Sequence, residues 1–320
     1  MRRVPRVVVF APHPLLAVTV EARGGADDIH LHPGGQGVWV ARMAATLGAY
    51  PVLCSFVGGE PAVALEALLA SLGGERRLTR TSSPSGSYVV DRRAGTRRLV
   101  AQAWAQPPTR HELDDLVSAT CAAAVGADAL VVCNPFPGDA LPLEVYGRLV
   151  ADVRGNGTPV LVDLSTPRLE SALQGAPDLV KLNDWELAEL VRAPVGEPSE
   201  MDAAVARLRE LGASFVVVTR GGEPAVVYRG GDVLELVPPR FERGSREGCG
   251  DSMMGALAAV WAGGADWRAA LVTGAAAGAA NFLRHGLGTG DRAVVDELAR
   301  SVELRPRAAA RITAAARAAG

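Results

Sequence analysis

Residues 244–260 read GSREGCGDSMMGALAAV. Gly248, Cys249 and Gly250 stand directly before a run of small residues that fits a helix, and Asp251 falls at the junction. The first turn of a helix leaves backbone N–H groups without partners and carries the positive end of the helix dipole, so that backbone can close around an anion. Glycines at 248 and 250 let the chain approach a phosphate closely, and a carboxylate beside that pocket can take a proton from a hydroxyl. The same carboxylate can equally be a helix N-cap. This stretch alone leaves both readings open.

Three further stretches carry groups of the same chemistry. VKLNDWELAEL sets Asn183 and Glu186 three apart behind an apolar run, a spacing that suits two ligands near hydrated magnesium and equally suits a capping box. Lys181, two residues earlier, is the only lysine of the chain. HPGGQGVWVARMAATLG places Gly34 and Gly35 at the start of a second small-residue helix, and VVVTRGG ends a Val-rich run on Thr219 and Gly221. In open α/β sheets, ligands bind at the carboxyl ends of such strands.

The elements needed to position these groups are legible in the hydrophobic pattern. RVVVFA, VLCSFVG, ALVVCN, PVLVDLS, DLVKLN and FVVVTRGG are apolar at nearly every position and separated by helical segments, which predicts parallel strands buried on both faces. Two regions break the rhythm. LAVTVEARGGADDIHLHPGG and GSYVVDRRAGTRRLVAQ alternate around turns, which predicts antiparallel hairpins forming a flap over the strand ends.

Composition narrows the function classes. With 320 residues and 48% hydrophobic content the chain can build a large α/β core. The net charge of −2, with both signs interspersed, leaves no basic stripe for nucleic acid. Cys54, Cys121, Cys133 and Cys249 form no C-x-x-C pair, which argues against a zinc cage or a disulfide framework and suits a reducing cytoplasm. The longest apolar stretch, AALVTGAAAGAANFL, is shorter than the roughly 20 residues of a membrane span, so no membrane partner is expected.

Taken in order, the glycine pair, N-x-x-E, T-x-G-G and the final GCGDSMMGALAAV resemble the PfkB, or ribokinase-like, carbohydrate kinases over about residues 4–305, with DDIHLHPGGQGVWVARMAATLG closest to the 1-phosphofructokinase and tagatose-6-phosphate kinase branch. The resemblance implies a ribokinase-like three-layer α/β sandwich: a large, mostly parallel sheet between helices, plus a small β lid from about 14–34 and 86–102. Residues 1–305 then form one kinase domain, and 306–320 an Ala/Arg-rich tail. It also implies ATP and Mg2+, with transfer of the γ-phosphoryl group to a sugar hydroxyl. Carried over by position, Asp251 matches the base and Gly248, Cys249 and Gly250 the anion hole. Asn183 and Glu186 match the motif near magnesium, Glu186 acting indirectly. Thr219 and Gly221 match the nucleotide-binding turn, and Asn281 falls where a late helix borders the adenine.

The departures from that pattern cluster where the branch binds its substrate. HPLLA puts His13 and Ala17 in place of an asparagine and a hydroxyl-binding aspartate, and GGQGVW puts Gln36 and Trp39 in place of a lysine and a second asparagine. NPFP replaces a G-S-L-P turn. Together with Gly34, Gly35 and Arg92 of DRRAGTRR, a candidate for holding a substrate phosphate, these make up the expected substrate pocket. Two hydroxyl-binding groups are lost and an indole is gained, so the usual sugar phosphate should bind poorly. The favoured reading is a kinase for a different small alcohol; the alternative is a nucleotide-binding regulator without turnover. A dehydrogenase is disfavoured, because no G-x-G-x-x-G follows the first strand. Glu247, directly before the anion hole, would repel phosphate unless it points away or pairs with Arg246. The lid can cover its own subunit's site or pair with a second lid in a homodimer, either of which buries an exposed edge.

Overall fold

The structure, a computed structural model, describes residues 3–136, 140–284 and 288–307. The tail beyond residue 307 and Pro137 of the NPFP turn lie outside the described residues.

The first third of the chain comprises β1 (Arg6–Phe10), β2 (Leu15–Arg23), β3 (Ala26–Gly34), α1 (Gln36–Thr46), β4 (Tyr50–Gly58), α2 (Gly59–Ala70), β5 (Glu75–Thr81), β6 (Ser87–Asp91), β7 (Arg98–Ala103) and α3 (Arg110–Ala124). Then follow β8 (Ala129–Cys133), α4 (Glu144–Gly155), β9 (Val160–Asp163), α5 (Arg168–Leu173), β10 (Leu179–Asn183), α6 (Asp184–Val191), α7 (Pro198–Glu210) and β11 (Phe215–Arg220). The chain continues through β12 (Glu223–Arg229), β13 (Asp232–Val237), α8 (Cys249–Ala262), α9 (Trp267–Phe282), α10 (Arg292–Ala299) and β14 (Glu303–Pro306).

Ten strands form one sheet in the order β14-β13-β12-β11-β10-β9-β8-β1-β4-β5. The six runs read as buried parallel strands are β1, β4, β8, β9, β10 and β11, and they pair in parallel as expected. Their continuous apolar character has a direct cause: alternate side chains feed two different cores. Val8 and Phe10 of β1 join the core beneath α3, α4, α6 and α7, whereas Val7 and Val9 join the core beneath α1, α2, α8 and α9. The result is the expected three-layer sandwich.

β12, β13 and β14 extend this sheet in antiparallel fashion, and β5 adds a parallel edge strand beside β4. β5, β13 and β14 lack the continuous apolar pattern and lie at or next to a sheet edge, whereas β12, paired on both sides, buries Ala225 to Tyr228. β14 runs through Pro306, so the sheet takes in the first residue of the expected tail. The second sheet, ordered β3-β2-β6-β7, combines both predicted hairpins, joined by parallel pairing of β2 with β6.

Candidate active site

Helix α8 begins at a backbone turn rather than at a capping side chain. Gly248 is its N-cap at φ 77°, in the left-handed region where a side chain would be strained, and no side chain caps the helix. Asp251 is therefore not the cap; it is the third residue of the helix. The N–H groups of Gly250 and Asp251 have no hydrogen-bond partner among the described residues, which leaves two donors at the positive end of the helix.

A buried cation stands beside this turn. A Cβ built on Gly250 would lie 3.2 Å from Nζ of Lys181. Lys181 and Asp163 sit in register on adjacent strands β10 and β9, and Nζ donates to Asp163 Oδ2 at 2.6 Å. Burial opposes the charge on Lys181, but the Asp163 carboxylate outweighs it and the ammonium is held above its ordinary pKa. Two residues further along β10, Asn183 is in register with Thr219 of β11. The polar residues thus gather at the carboxyl ends of neighbouring strands because each apolar run ends there.

Asp251 lies half-buried among these charges. Burial, reinforced by Asp163, pushes its pKa up to about 7, against opposing effects from Lys181 and from a hydrogen bond with the Gln36 side chain. Gln36 Oε1 in turn accepts from the Asn134 N–H at 2.7 Å. Gln36, expected to touch substrate, therefore orients the carboxylate as well.

Asn183 and Glu186 form a complete capping box for α6, with Asn183 Oδ1 accepting from the Glu186 N–H at 2.9 Å and Glu186 Oε2 accepting from the Asn183 N–H at 2.9 Å. The box uses one carboxylate oxygen of Glu186 and leaves the other outside the pair. Burial raises the Glu186 pKa. The Thr219 hydroxyl donates to the Leu182 carbonyl at 3.4 Å, and Gly221 adjoins the Arg246 guanidinium. Asn281 is fully buried: its amide donates to the Glu247 carbonyl at 2.8 Å, and its oxygen accepts from the Gly288 N–H at 2.8 Å. Its side chain braces the turn before the anion pocket.

The expected substrate residues divide between two adjoining cavities. His13, Gly35, Gln36 and Trp39 share a cavity of about 390 Å³ with Asp251, whereas Ala17, Gly34 and Arg92 line a neighbour of about 200 Å³. Trp39 borders both, and Tyr88 of β6 contributes to both from the small sheet. Burial lowers the His13 pKa to about 4, so its imidazole is neutral at physiological pH. Glu247 pairs with Arg92 at 3.5 Å and Arg97 at 3.6 Å, not with Arg246. Two small-sheet guanidiniums thereby offset the carboxylate that threatened the anion pocket.

Several residues of this site were not singled out from the sequence. Asp163 had a usable signal, a carboxylate ending a buried run near the chain's single lysine. Asn134 and Phe136 lie in the NPFP segment noted among the departures, whereas Trp104 had no signal, since it reaches the cavity from a segment without chemical spacing. Among the described residues, no three His, Cys, Asp or Glu side chains cluster so as to hold a metal, and no helix is long and apolar enough to cross a membrane.

The pattern of pfkB family carbohydrate kinases matches residues 16–293. A 1-phosphofructokinase of Rhodobacter capsulatus is 30% identical over 247 residues, covering 75% of this chain and 76% of that protein. The ATP-dependent 6-phosphofructokinase isozyme 2 of Escherichia coli is 28% identical over 260 residues, covering 79% and 82%. The tetrameric inhibited form of Escherichia coli phosphofructokinase-2 superimposes with a TM-score of 0.81 at 24% identity, covering 93% of this chain and 99% of that one. Arabidopsis thaliana ribokinase, complexed with ribose and ATP, gives 0.71 at 20% identity over 93% and 99%. These two structures share the fold.

Proposed function

The chain belongs to the pfkB family of carbohydrate kinases, and from that premise we propose that it moves the γ-phosphoryl group of ATP to a hydroxyl of a sugar, sugar phosphate or related small alcohol. The observation that carries this reading is the arrangement at the start of α8: a carboxyl group with a pKa near neutrality, two unpartnered N–H donors and a buried ammonium beside them. Phosphoryl transfer asks mainly for positioning and charge neutralisation, and this arrangement supplies both.

In the proposed step the acceptor oxygen attacks the γ-phosphorus, the bond to the β-phosphate oxygen breaks, and ADP leaves. Asp251 takes the hydroxyl proton. The donors at Gly250 and Asp251, with Lys181, face the charge on the transferring group. Bound magnesium would neutralise phosphate charge. Glu186, through the oxygen its capping box leaves over, is suited to meet that ion across water. Thr219 and Gly221 would flank the nucleotide. In this proposal residues 1–305 act as one domain, and the small sheet is its lid. The exposed apolar residues Ile29 and Leu31 on that sheet support a lid-to-lid dimer.

Replacing Asp251 by Asn tests the mechanism: ADP formation should fall by about 10²- to 10⁴-fold while ATP binding persists. Wild-type turnover in that variant would remove Asp251 from the chemistry. The regulator reading rests on Ala17, which brings no hydroxyl-binding group to its cavity. Failure of every sugar, sugar phosphate and nucleoside to support ADP release would favour it.

A further inference from the structure

We infer that the acceptor is an unphosphorylated sugar carrying a planar aromatic group, of nucleoside or aryl-glycoside type. This deepens the kinase reading and rests on it.

The cavity that holds Asp251 has two kinds of wall. One is polar and internally bonded, with Gln36 linking Asp251 to Asn134. The other is aromatic. Trp104 and Phe136 meet edge to face with ring centroids 4.6 Å apart, and Trp39, Tyr88 and the neutral ring of His13 complete it. Trp39 is held in place from behind: a Cβ on Gly288 would lie 2.5 Å from the Trp39 Cβ, and the Gly288 N–H is fixed by Asn281. An aromatic wall with a few polar groups suits a flat ring joined to a hydroxylated body.

Charge argues against a phosphate on that acceptor. Among the described lining residues the charged groups are Arg97, Glu247 and Asp251, and Arg97 is already 3.6 Å from Glu247. A second phosphate would meet the Asp251 carboxyl group there and a guanidinium that Glu247 already engages. Arg42 and Arg92 line the neighbouring cavity, where Arg92 is also paired with Glu247 at 3.5 Å, and Arg168 donates to Asn134 Oδ1 at 3.0 Å.

The test uses the full chain with two readouts. Uridine, adenosine and phenyl β-ribofuranoside are compared with ribose, fructose, fructose 1-phosphate and fructose 6-phosphate for ADP release with ATP–Mg, and separately for binding by calorimetry without ATP. The ring-bearing sugars should bind at least about tenfold more tightly than the others, and Trp104→Ala and Phe136→Ala should each weaken that binding about tenfold. Phe136 is 48% exposed, so the second variant keeps the test open if the first fails to fold. Preferred binding or turnover of either fructose phosphate overturns the inference and leaves the kinase reading standing. Ring-dependent binding without ADP release overturns the kinase reading and, with it, the assignment of the ring-bearing sugar as acceptor. Binding of no ring-bearing sugar overturns the inference.

Discussion

Gln36 carries a role that its position at the head of α1 does not announce. Its side chain bonds both the Asp251 carboxyl and the Asn134 backbone, and the bond to Asp251 holds that pKa lower than burial alone would set it. The base must be deprotonated to accept a proton, so kcat/KM should rise with pH through an acid limb near 7. Gln36→Leu removes a donor to the carboxylate, favours its protonated form and should move that limb to higher pH. A pH–rate profile for ADP release measures this directly; an unmoved limb would show that Gln36 does not set the base. The nearby exchange of roles between Arg246 and the small-sheet arginines is also a residue-scale result. Arg246 adjoins Gly221, while Glu247 turns to Arg92 and Arg97.

At the scale of elements, the site depends on the registration of β9 with β10. Asp163 and Lys181 are opposite one another with side chains only 6% exposed, so each is the other's compensation for lost water. Removing one partner of a buried pair leaves an uncompensated charge, whereas removing both spares that penalty. Lys181→Met should therefore destabilise the protein by about 3–5 kcal/mol. Adding Asp163→Asn should recover part of the loss, because contacting groups are not additive. Urea unfolding of the two variants decides it; equal loss in both would mean that removing the stranded carboxylate relieves nothing. The same registration brings the ammonium to the turn that starts α8, so one strand pairing serves both the core and the anion pocket.

Across the whole molecule, the small sheet meets the main body at Glu247. Arg92 and Arg97 belong to the stretch between β6 and β7 on the small sheet, whereas Glu247 precedes α8 in the main body. Partly exposed ion pairs contribute little to global stability, about 0–1 kcal/mol, so Glu247→Gln should leave the unfolding midpoint nearly unchanged. The tie should matter locally. Hydrogen exchange of residues 87–103 should accelerate in Glu247→Gln while α8 keeps its protection, because the small sheet loses its charged anchor to the main body. Unchanged exchange would mean that the remaining sheet contacts alone hold it in place.

The sequence by itself determined the six parallel strands, both hairpins and the order of the phosphate-end motifs, because each is written in the periodicity or spacing of near neighbours. It also brought Asp251 and the glycine turn before it into view, but not the choice between cap and base. The tertiary structure excluded the cap, since Gly248 closes the helix through its backbone alone. It also decided what surrounds the carboxylate. The bond from Asn134 to Gln36 spans 98 positions, and the pairing of Lys181 with Asp163 depends on which strand lies beside which. Trp39 illustrates the division: its type is plain in GGQGVW, yet its place between a polar-aromatic cavity and an arginine-lined one exists only once α1, the small sheet and Gly288 are packed around it. Periodicity is a property of adjacent residues, whereas desolvation and charge pairing belong to whatever the fold brings together.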